Sequence, residues 1–211
     1  MEITFRRRLL DQALCATAFT GKVLDVGGKK DNKRGAFRPP VTTVDSWHYA
    51  NLDKTSLPDF CCDAENLPIP SSVYDIAVLC EILEHMKSPE RGIAEAHRVL
   101  KAGGVIILSI PFLFPIHADP YDFQRWTAPK IKSVLESTGF SGIAVSEMGG
   151  PGAVIHDLLF IAFSKIRPQI AKRAAKFLLW TSRWMFAALD VVLASGKSSI
   201  TTGYFVTARK A

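Results

Sequence analysis

Long uninterrupted apolar runs are missing from this chain. The most apolar stretch, Ala174 to Ser195, is broken by Lys176, Arg183 and Asp190. The charge-free pieces between them fall far short of the ~20 residues that a bilayer span requires. Cysteine is scarce as well: the four, Cys15, Cys61, Cys62 and Cys80, show no C-x-x-C spacing and no companion histidine cluster. That pattern excludes a zinc knuckle or a dithiol redox motif and leads us to expect reduced thiols in a cytosolic protein. Met1 to Arg8 is charged and lacks the apolar centre of a signal peptide. The expected location is therefore cytoplasmic, with peripheral contact on the inner face of the membrane as a further expectation. No internal repeat or low-complexity tract is present, which leaves a solenoid or a disordered tether without support. Acids are outnumbered, 20 Asp and Glu against 26 Lys and Arg, a net charge of +6. Nucleic acid, an anionic lipid surface and a phosphorylated substrate are all compatible with that sign.

What is present reads as alternating strands and helices. At 211 residues the chain suits one domain with a substantial core. Leu9 to Phe19 has the pattern of a short amphipathic helix. Val23-Leu24-Asp25-Val26-Gly27-Gly28 is an apolar run ending in glycines, a first parallel strand, and Lys29 to Val44 reads as a loop. Trp47 to Asp53 is a second strand with an acid at its tip. Asp75 to Cys80 and Val105 to Ile110 are nearly continuous in apolar residues, as strands buried on both faces should be. Between them Ser88-Pro89-Glu90 opens a helix, expected to end at Lys101-Ala102-Gly103 with a left-handed cap. Thr127 to Thr138 is another helix, stopped by Gly139, and Gly142 to Glu147 and Gly203 to Ala208 are further strands. The segment 152–199 interrupts the alternation and reads as a helical insertion or lid. Its charges at 176, 183 and 190 recur every seven residues and so form one narrow polar stripe. Two readings of it remain open: a helical hairpin covering the sheet or forming a homodimer face, and an interfacial helix contacting a membrane surface through 165–195.

Several polar residues fall at the strand tips, where doubly wound folds build their ligand crevice. Asp53 can accept hydrogen bonds from both hydroxyls of a ribose. Asp25-Val26-Gly27-Gly28, the loop Asp63-Ala64-Glu65-Asn66-Leu67-Pro68, the pair Glu84-His85 and the turn from Arg98 to Gly104 follow one another as they do in class I methyltransferases, which use S-adenosylmethionine (SAM). The chain resembles that family from about Val23 to Phe140. The resemblance implies a Rossmann-like α/β fold with a seven-stranded, mostly parallel sheet, an antiparallel last strand and a helical insertion before it. It also implies a single methyltransferase domain over 1–211, with SAM as cofactor, S-adenosylhomocysteine as product and no metal. In family terms Asp25, Gly27 and Gly28 would meet the methionine part, Asp53 the ribose, and Asp63 and the amide of Ala64 the adenine. Leu67 would offer an apolar face to the base, and Cys80 and Glu81 would wall the methionine end. Nicotinamide enzymes lack the D-A-x-x-L-P segment followed by a strand and an E-H pair. Lys29 and Asp31 stand where the family carries further glycines. Arg98 is expected to pair with an acid such as Glu95 or Glu84.

The densest polar cluster runs from Pro111 to Thr127. It resembles a string found in a methyltransferase type 11-like subgroup often linked to surface-polysaccharide or glycolipid synthesis. His117 is the candidate general base and Asp119 its orienting or acceptor-binding partner. His85, His117, Tyr121, Asp122 and Arg125 are candidate acceptor contacts. The bland alternative is an Asp122–Arg125 ion pair that merely fixes the loop, with Thr127 capping the next helix. The expected activity is methyl transfer to a small or lipid-linked acceptor, with a sugar hydroxyl preferred. The rival reading is a scaffold protein on the same fold that has lost SAM. A nucleic-acid methyltransferase is disfavoured, because Cys80-Glu81-Ile82-Leu83 is not an aromatic base-clamping motif such as N-P-P-Y.

Overall fold

The computed structural model describes residues 4–31, 35–117, 120–193 and 200–211. Seven strands form one sheet: β1 (Lys22–Val26), β2 (Ser46–Asn51), β3 (Phe60–Cys61), β4 (Tyr74–Cys80), β5 (Leu100–Pro111), β6 (Phe140–Glu147) and β7 (Gly203–Lys210). Their order is β3-β2-β1-β4-β5-β7-β6, and β7 alone runs antiparallel to its neighbours. Among the described residues five α-helices accompany them: α1 (Phe5–Ala16), α2 (Pro89–Val99), α3 (Ala128–Thr138), α4 (Pro151–Ser164) and α5 (Gln169–Leu193).

Successive side chains of a strand point to opposite faces, so the apolar runs of β1, β4 and β5 divide between two cores. Leu24, Ala77, Leu79, Ile106 and Leu108 pack on one face beneath Ile93 and Val99 of α2 and Ile131 and Leu135 of α3. Val23, Ile76, Val78 and Ile107 pack on the other beneath Leu10 and Leu14 of α1. Burial on both sides is why these strands carry few polar residues, each buried Leu or Ile contributing about 1.5–3 kcal/mol.

The helix boundaries follow local chemistry. The Thr127 hydroxyl accepts from the Lys130 amide at the start of α3, and Gly139 closes that helix at φ +97°, as expected. Ser88 precedes α2 without a side-chain cap, and its amide donates instead to Glu65 Oε1 at 2.9 Å. The expected end of α2 at Lys101-Ala102-Gly103 is corrected: the helix stops at Val99, and Leu100 already pairs with Tyr74 as the first residue of β5. Leu100 is fully buried, and sheet pairing there outweighs a further helical turn. Gly103, at φ +74°, turns the strand at the irregularity between Tyr74 and Ile76, while Lys101 pairs with Asp75 at 2.8 Å. Arg98 does pair with Glu95, at 2.7 Å, and donates to the carbonyls of Leu67 and Ile69. The R-V-L-K-A-G-G turn thus locks the Asp63–Pro68 loop to the sheet.

Between β6 and β7 the chain makes a helical hairpin of α4 and α5. The Asp190 carboxylate, near the end of α5, accepts from the amides of Gly150, Gly152 and Ala153 at the start of α4. An acid there satisfies orphan amides and faces the positive end of the helix dipole. Gly152 lies against the carbonyl of Phe186, with no room for a Cβ. Lys176 stands 4.2 Å over the Phe160 ring. Two members of the expected polar stripe, Lys176 and Asp190, therefore engage α4, and the outward face of α5 is apolar. On the other side of α4, the buried Asp157 accepts from the Phe5 and Arg6 amides at 2.6 and 3.0 Å, which caps α1. Replacing Asp190 by Ala should cost about 1–2 kcal/mol through loss of that cap. The denaturant midpoint should fall with an unchanged slope; an unchanged midpoint would show that the cap contributes nothing.

Candidate active site

The turn after β1 lies at the carboxyl edge of the sheet. The Gly27 amide donates to the Ala50 carbonyl at 2.8 Å, and φ is +82°. A Cβ on Gly27 would stand 2.5 Å from Ile82 Cδ1, and one on Gly28 would collide with the Asp25 carboxylate. Glycine is required here by both conformation and close approach. Asn51, the last residue of β2, donates from its side chain to the Gly27 and Gly28 carbonyls at 3.0 Å each. Asn51 therefore braces a turn whose later positions, Lys29 among them, are not glycine. Trp47 Nε1 donates to Asp25 at 3.3 Å.

Asp53 is not at the strand tip, a correction to its expected place. β2 ends at Asn51, and Asp53 caps a single 3-10 turn, Lys54–Ser56. One carboxylate oxygen accepts from the Thr55 amide and hydroxyl at 2.9 and 2.6 Å, and the other pairs with Lys29 at 3.3 Å. These bonds, Thr55 first and Lys29 after it, hold the carboxyl below its usual range. A ribose would have to displace them. Asp63 is exposed; one of its oxygens accepts from the Glu65 amide at 2.9 Å. Ala64 and Leu67 are buried in the core, with the Leu67 amide donating to Glu95 at 2.8 Å. The expected contact of the Leu67 side chain with a base is corrected on that ground. An uncovered apolar side chain of this edge is Leu52, 69% exposed beside Asp53.

At the end of β4 burial, with the Asp25 charge nearby, pushes the Cys80 thiol up to about 12, so it stays neutral. Glu81 occupies a left-handed conformation, φ +58°, which a non-glycine residue adopts only under constraint. One of its oxygens accepts from Ser109 Oγ at 2.9 Å, and the other is ion-paired with the buried Arg6 of α1. Arg6 lies 4.1 Å over the Phe114 ring, and burial draws its guanidinium down to about 10, against the opposing charges of Glu84 and Asp157. It remains a cation at neutral pH.

The loop after β5 folds down onto the residues after β4. Gln124 donates to the Leu83 and Met86 carbonyls, the Phe123 amide donates to the Glu84 carbonyl, and His85 Nδ1 meets the Tyr121 carbonyl at 2.5 Å. This docking gathers Glu84, His85 and His117. The Glu84 carboxylate is fully buried, and neither of its oxygens has a hydrogen-bond partner. It faces His117 Nε2 at 3.6 Å and His85 Nε2 at 3.7 Å. Nδ1 of His117 lies 3.2 Å from the Pro115 carbonyl, which can only accept, so a hydrogen there leaves Nε2 as the basic nitrogen. One donor atom from each of the three residues lies within 4.8 Å of the others. Arg6 already supplies positive charge to this carboxylate.

Asp122 and Arg125, expected as acceptor contacts, are corrected. The Asp122 carboxylate is bound by both terminal nitrogens of Arg125 and by the His117 amide, and Arg125 also reaches the carbonyls of Phe114, Pro115 and Gln124. They hold the loop that carries His117. Tyr121 and Phe123 are open instead, 58% and 47% exposed, their rings 5.3 Å apart. Asp119 lies outside the described residues. Sequence reasoning missed Arg6 and Asn51 and left Glu84 out of the candidate site. Arg6 was legible in part: Arg6, Leu10 and Leu14 recur at intervals of four, on the face that α1 buries.

The sheet order and the glycine turn at the carboxyl edge are those of the class I methyltransferase fold, Rossmann-like with β7 reversed. The sequence model of the methyltransferase domain family matches residues 30–108, from the turn after β1 into β5. Over 91 residues the chain is 34% identical to 2-methyl-6-phytyl-1,4-hydroquinone methyltransferase 1, chloroplastic, of Oryza sativa subsp. japonica. That match covers 41% of this chain and 28% of the relative, so the chain spans little more than a quarter of that protein. Among solved structures, the [4+2]-cyclase SpnF aligns over 95% of this chain and 80% of its own, with a TM-score of 0.61 and 18% identity. Phosphoethanolamine N-methyltransferase 2 of Haemonchus contortus, solved with S-adenosyl-L-methionine, aligns over 95% of this chain and 52% of its own. Its TM-score is 0.58 and its identity 16%.

The Arg125 hydrogen bonds, ahead of the His117 amide, hold Asp122 down at about 2, below its ordinary 3.8. Because the folded value is the lower one, the stability from this group is fully present above about pH 4–5 and lost as pH falls through about 2. Asp122→Asn should flatten that part of the acid-unfolding curve. An acid limb matching that of the unsubstituted protein would show that the ion pair does not hold the loop.

Proposed function

We propose that this protein is a SAM-dependent methyltransferase acting on a small or lipid-linked acceptor, with a sugar hydroxyl as the preferred target. The observation that carries the reading is His117, with Nε2 3.6 Å from the buried Glu84 carboxylate, whose oxygens make no hydrogen bond. When bound, SAM supplies the methyl group on a sulfonium centre. Gly27 and Gly28 offer backbone to it, Asp25 and Asp63 offer carboxylates, and Asp53 joins them in exchange for Lys29 and Thr55. On the acceptor side, His117 Nε2 takes the hydroxyl proton. The imidazolium so formed stands between Glu84 and Asp122, while the Nδ1 hydrogen stays on the Pro115 carbonyl. Alignment and proton removal are the help that a hydroxyl acceptor needs. The open rings of Tyr121 and Phe123 beside His85 suit the apolar face of a sugar.

One observation favours a second reading, a scaffold protein that has lost the cofactor: the Asp53 carboxylate is taken up by Thr55 and Lys29. Calorimetric titration with SAM and S-adenosylhomocysteine separates the two. Micromolar binding is expected, weakened by Asp63→Ala and tightened by Lys29→Ala, which releases Asp53. His117→Ala should leave that affinity in place and lower kcat by about 10²–10⁴-fold on a responsive glycolipid or sugar-nucleotide acceptor. No heat from a folded sample would establish the scaffold reading instead.

A further inference from the structure

Away from the sheet edge, the outer face of α5 exposes a row of large apolar side chains. Ile170, Phe177, Leu178, Trp184, Met185 and Val191 are all more than half exposed, between 56% and 85%. At roughly 100° per residue they fall within an arc of about 140°, an apolar stripe rather than scattered side chains. A single folded chain rarely leaves such a stripe open to water without a use for it. No helix among the described residues is long and apolar enough to cross a membrane, so α5 is suited to lie on a surface.

The charges around the stripe identify that surface. Residues 150–193 contain six basic residues, Lys165, Arg167, Lys172, Arg173, Lys176 and Arg183, and only two acids, Asp157 and Asp190. Both acids are spent inside the fold, capping α1 and α4. The charged rim of the stripe is therefore entirely positive. A second copy packed on the same face would bring like charges together with no acid to pair them, whereas an anionic bilayer complements the rim and accepts the apolar side chains. Trp184, with an apolar ring and a polar edge, suits the headgroup level.

We infer that α5 docks this protein on an anionic membrane surface, its apolar stripe inserted at the headgroup boundary and its basic residues on the lipid phosphates. The hairpin leaves β6 and re-enters β7 at the edge that carries the acceptor loop: Pro111 pairs with Gly203, and the Phe112 and Leu113 amides donate to the Thr202 and Thr201 carbonyls. Docking there would bring the mouth of the crevice to the lipid surface. The inference does not depend on methyl transfer, because binding to lipid is measured without cofactor or acceptor.

The test is flotation of the full chain with vesicles of phosphatidylcholine alone and of phosphatidylcholine doped with phosphatidylglycerol, at low and raised salt. Flotation with the anionic vesicles, diminished by salt and by neutral lipid, is expected, together with quenching of tryptophan fluorescence by brominated lipid. The double variant Phe177→Ser/Trp184→Ser, altered only at exposed positions, should lose at least about tenfold in lipid affinity. Its melting curve and its heat with SAM should match those of the unsubstituted protein. Lys172→Glu/Arg173→Glu should weaken binding to the anionic vesicles alone. The inference is overturned if the protein stays with the soluble fraction on anionic vesicles. It is equally overturned if the Phe177/Trp184 variant floats as well as its parent, or if light scattering shows a dimer that this variant dissolves while no lipid is bound.

Discussion

Removing a guanidinium from water is costly unless acids meet it, and Arg6 is buried where three elements converge. Glu81 at the end of β4 pairs with it, Glu84 and Asp157 add negative potential, and the Phe114 ring lies beneath its plane. Asp157 also receives the Phe5 and Arg6 amides, so the first turn of the first helix is held by a residue of α4. Through this one cation the N-terminal helix, the strand-end loop of the crevice and the helical hairpin are coupled. Glu81 is held in a left-handed conformation in the same place, and the Arg6 and Ser109 contacts supply the interactions that offset its cost.

Much of the sheet was legible in the sequence because strands buried on both faces must be largely apolar, and Ile76 to Cys80 of β4 and Val105 to Leu108 of β5 are. α3 was legible because Thr127 and Gly139 terminate it with recognised cap chemistry. The end of α2 was not. Basic residues followed by glycine read equally as a helix C-cap and as a bulged strand start, and only the pairing of Leu100 with Tyr74 distinguishes them. Asp53 was misplaced by two residues for a similar reason, since Trp47 to Asp53 carries no internal stop. On α5 the seven-residue period was sound, but the partners of Asp190 lie 37 to 40 positions earlier and periodicity does not show them. Two of the three stripe charges, Lys176 and Asp190, therefore meet α4.

Two kinds of residue share the crevice edge. Asn51 is bonded to backbone, and Asp122 and Arg125 to backbone and to each other, and they fix where the loops lie. Glu84, His85 and His117 are brought together by that frame with the Glu84 oxygens left without hydrogen bonds. The fold does not by itself decide what such a cluster does, since one of the solved structures of similar fold is a cyclase.

The position of β7 has a consequence for how the protein comes to be made. It lies between β5 and β6 in space yet follows both in the chain, and β6 joins the sheet only through it. During synthesis, therefore, β5 presents an unpaired edge, and β6 has no strand to join, until α4, α5 and β7 have all emerged. Edges of that kind invite pairing with other chains, and closure over so long a separation is slow. The hairpin held by Asp190 forms from residues that emerge within one short interval. It can set the two ends of the 148–202 segment side by side before β7 arrives, which shortens the time for which the half-built sheet is open.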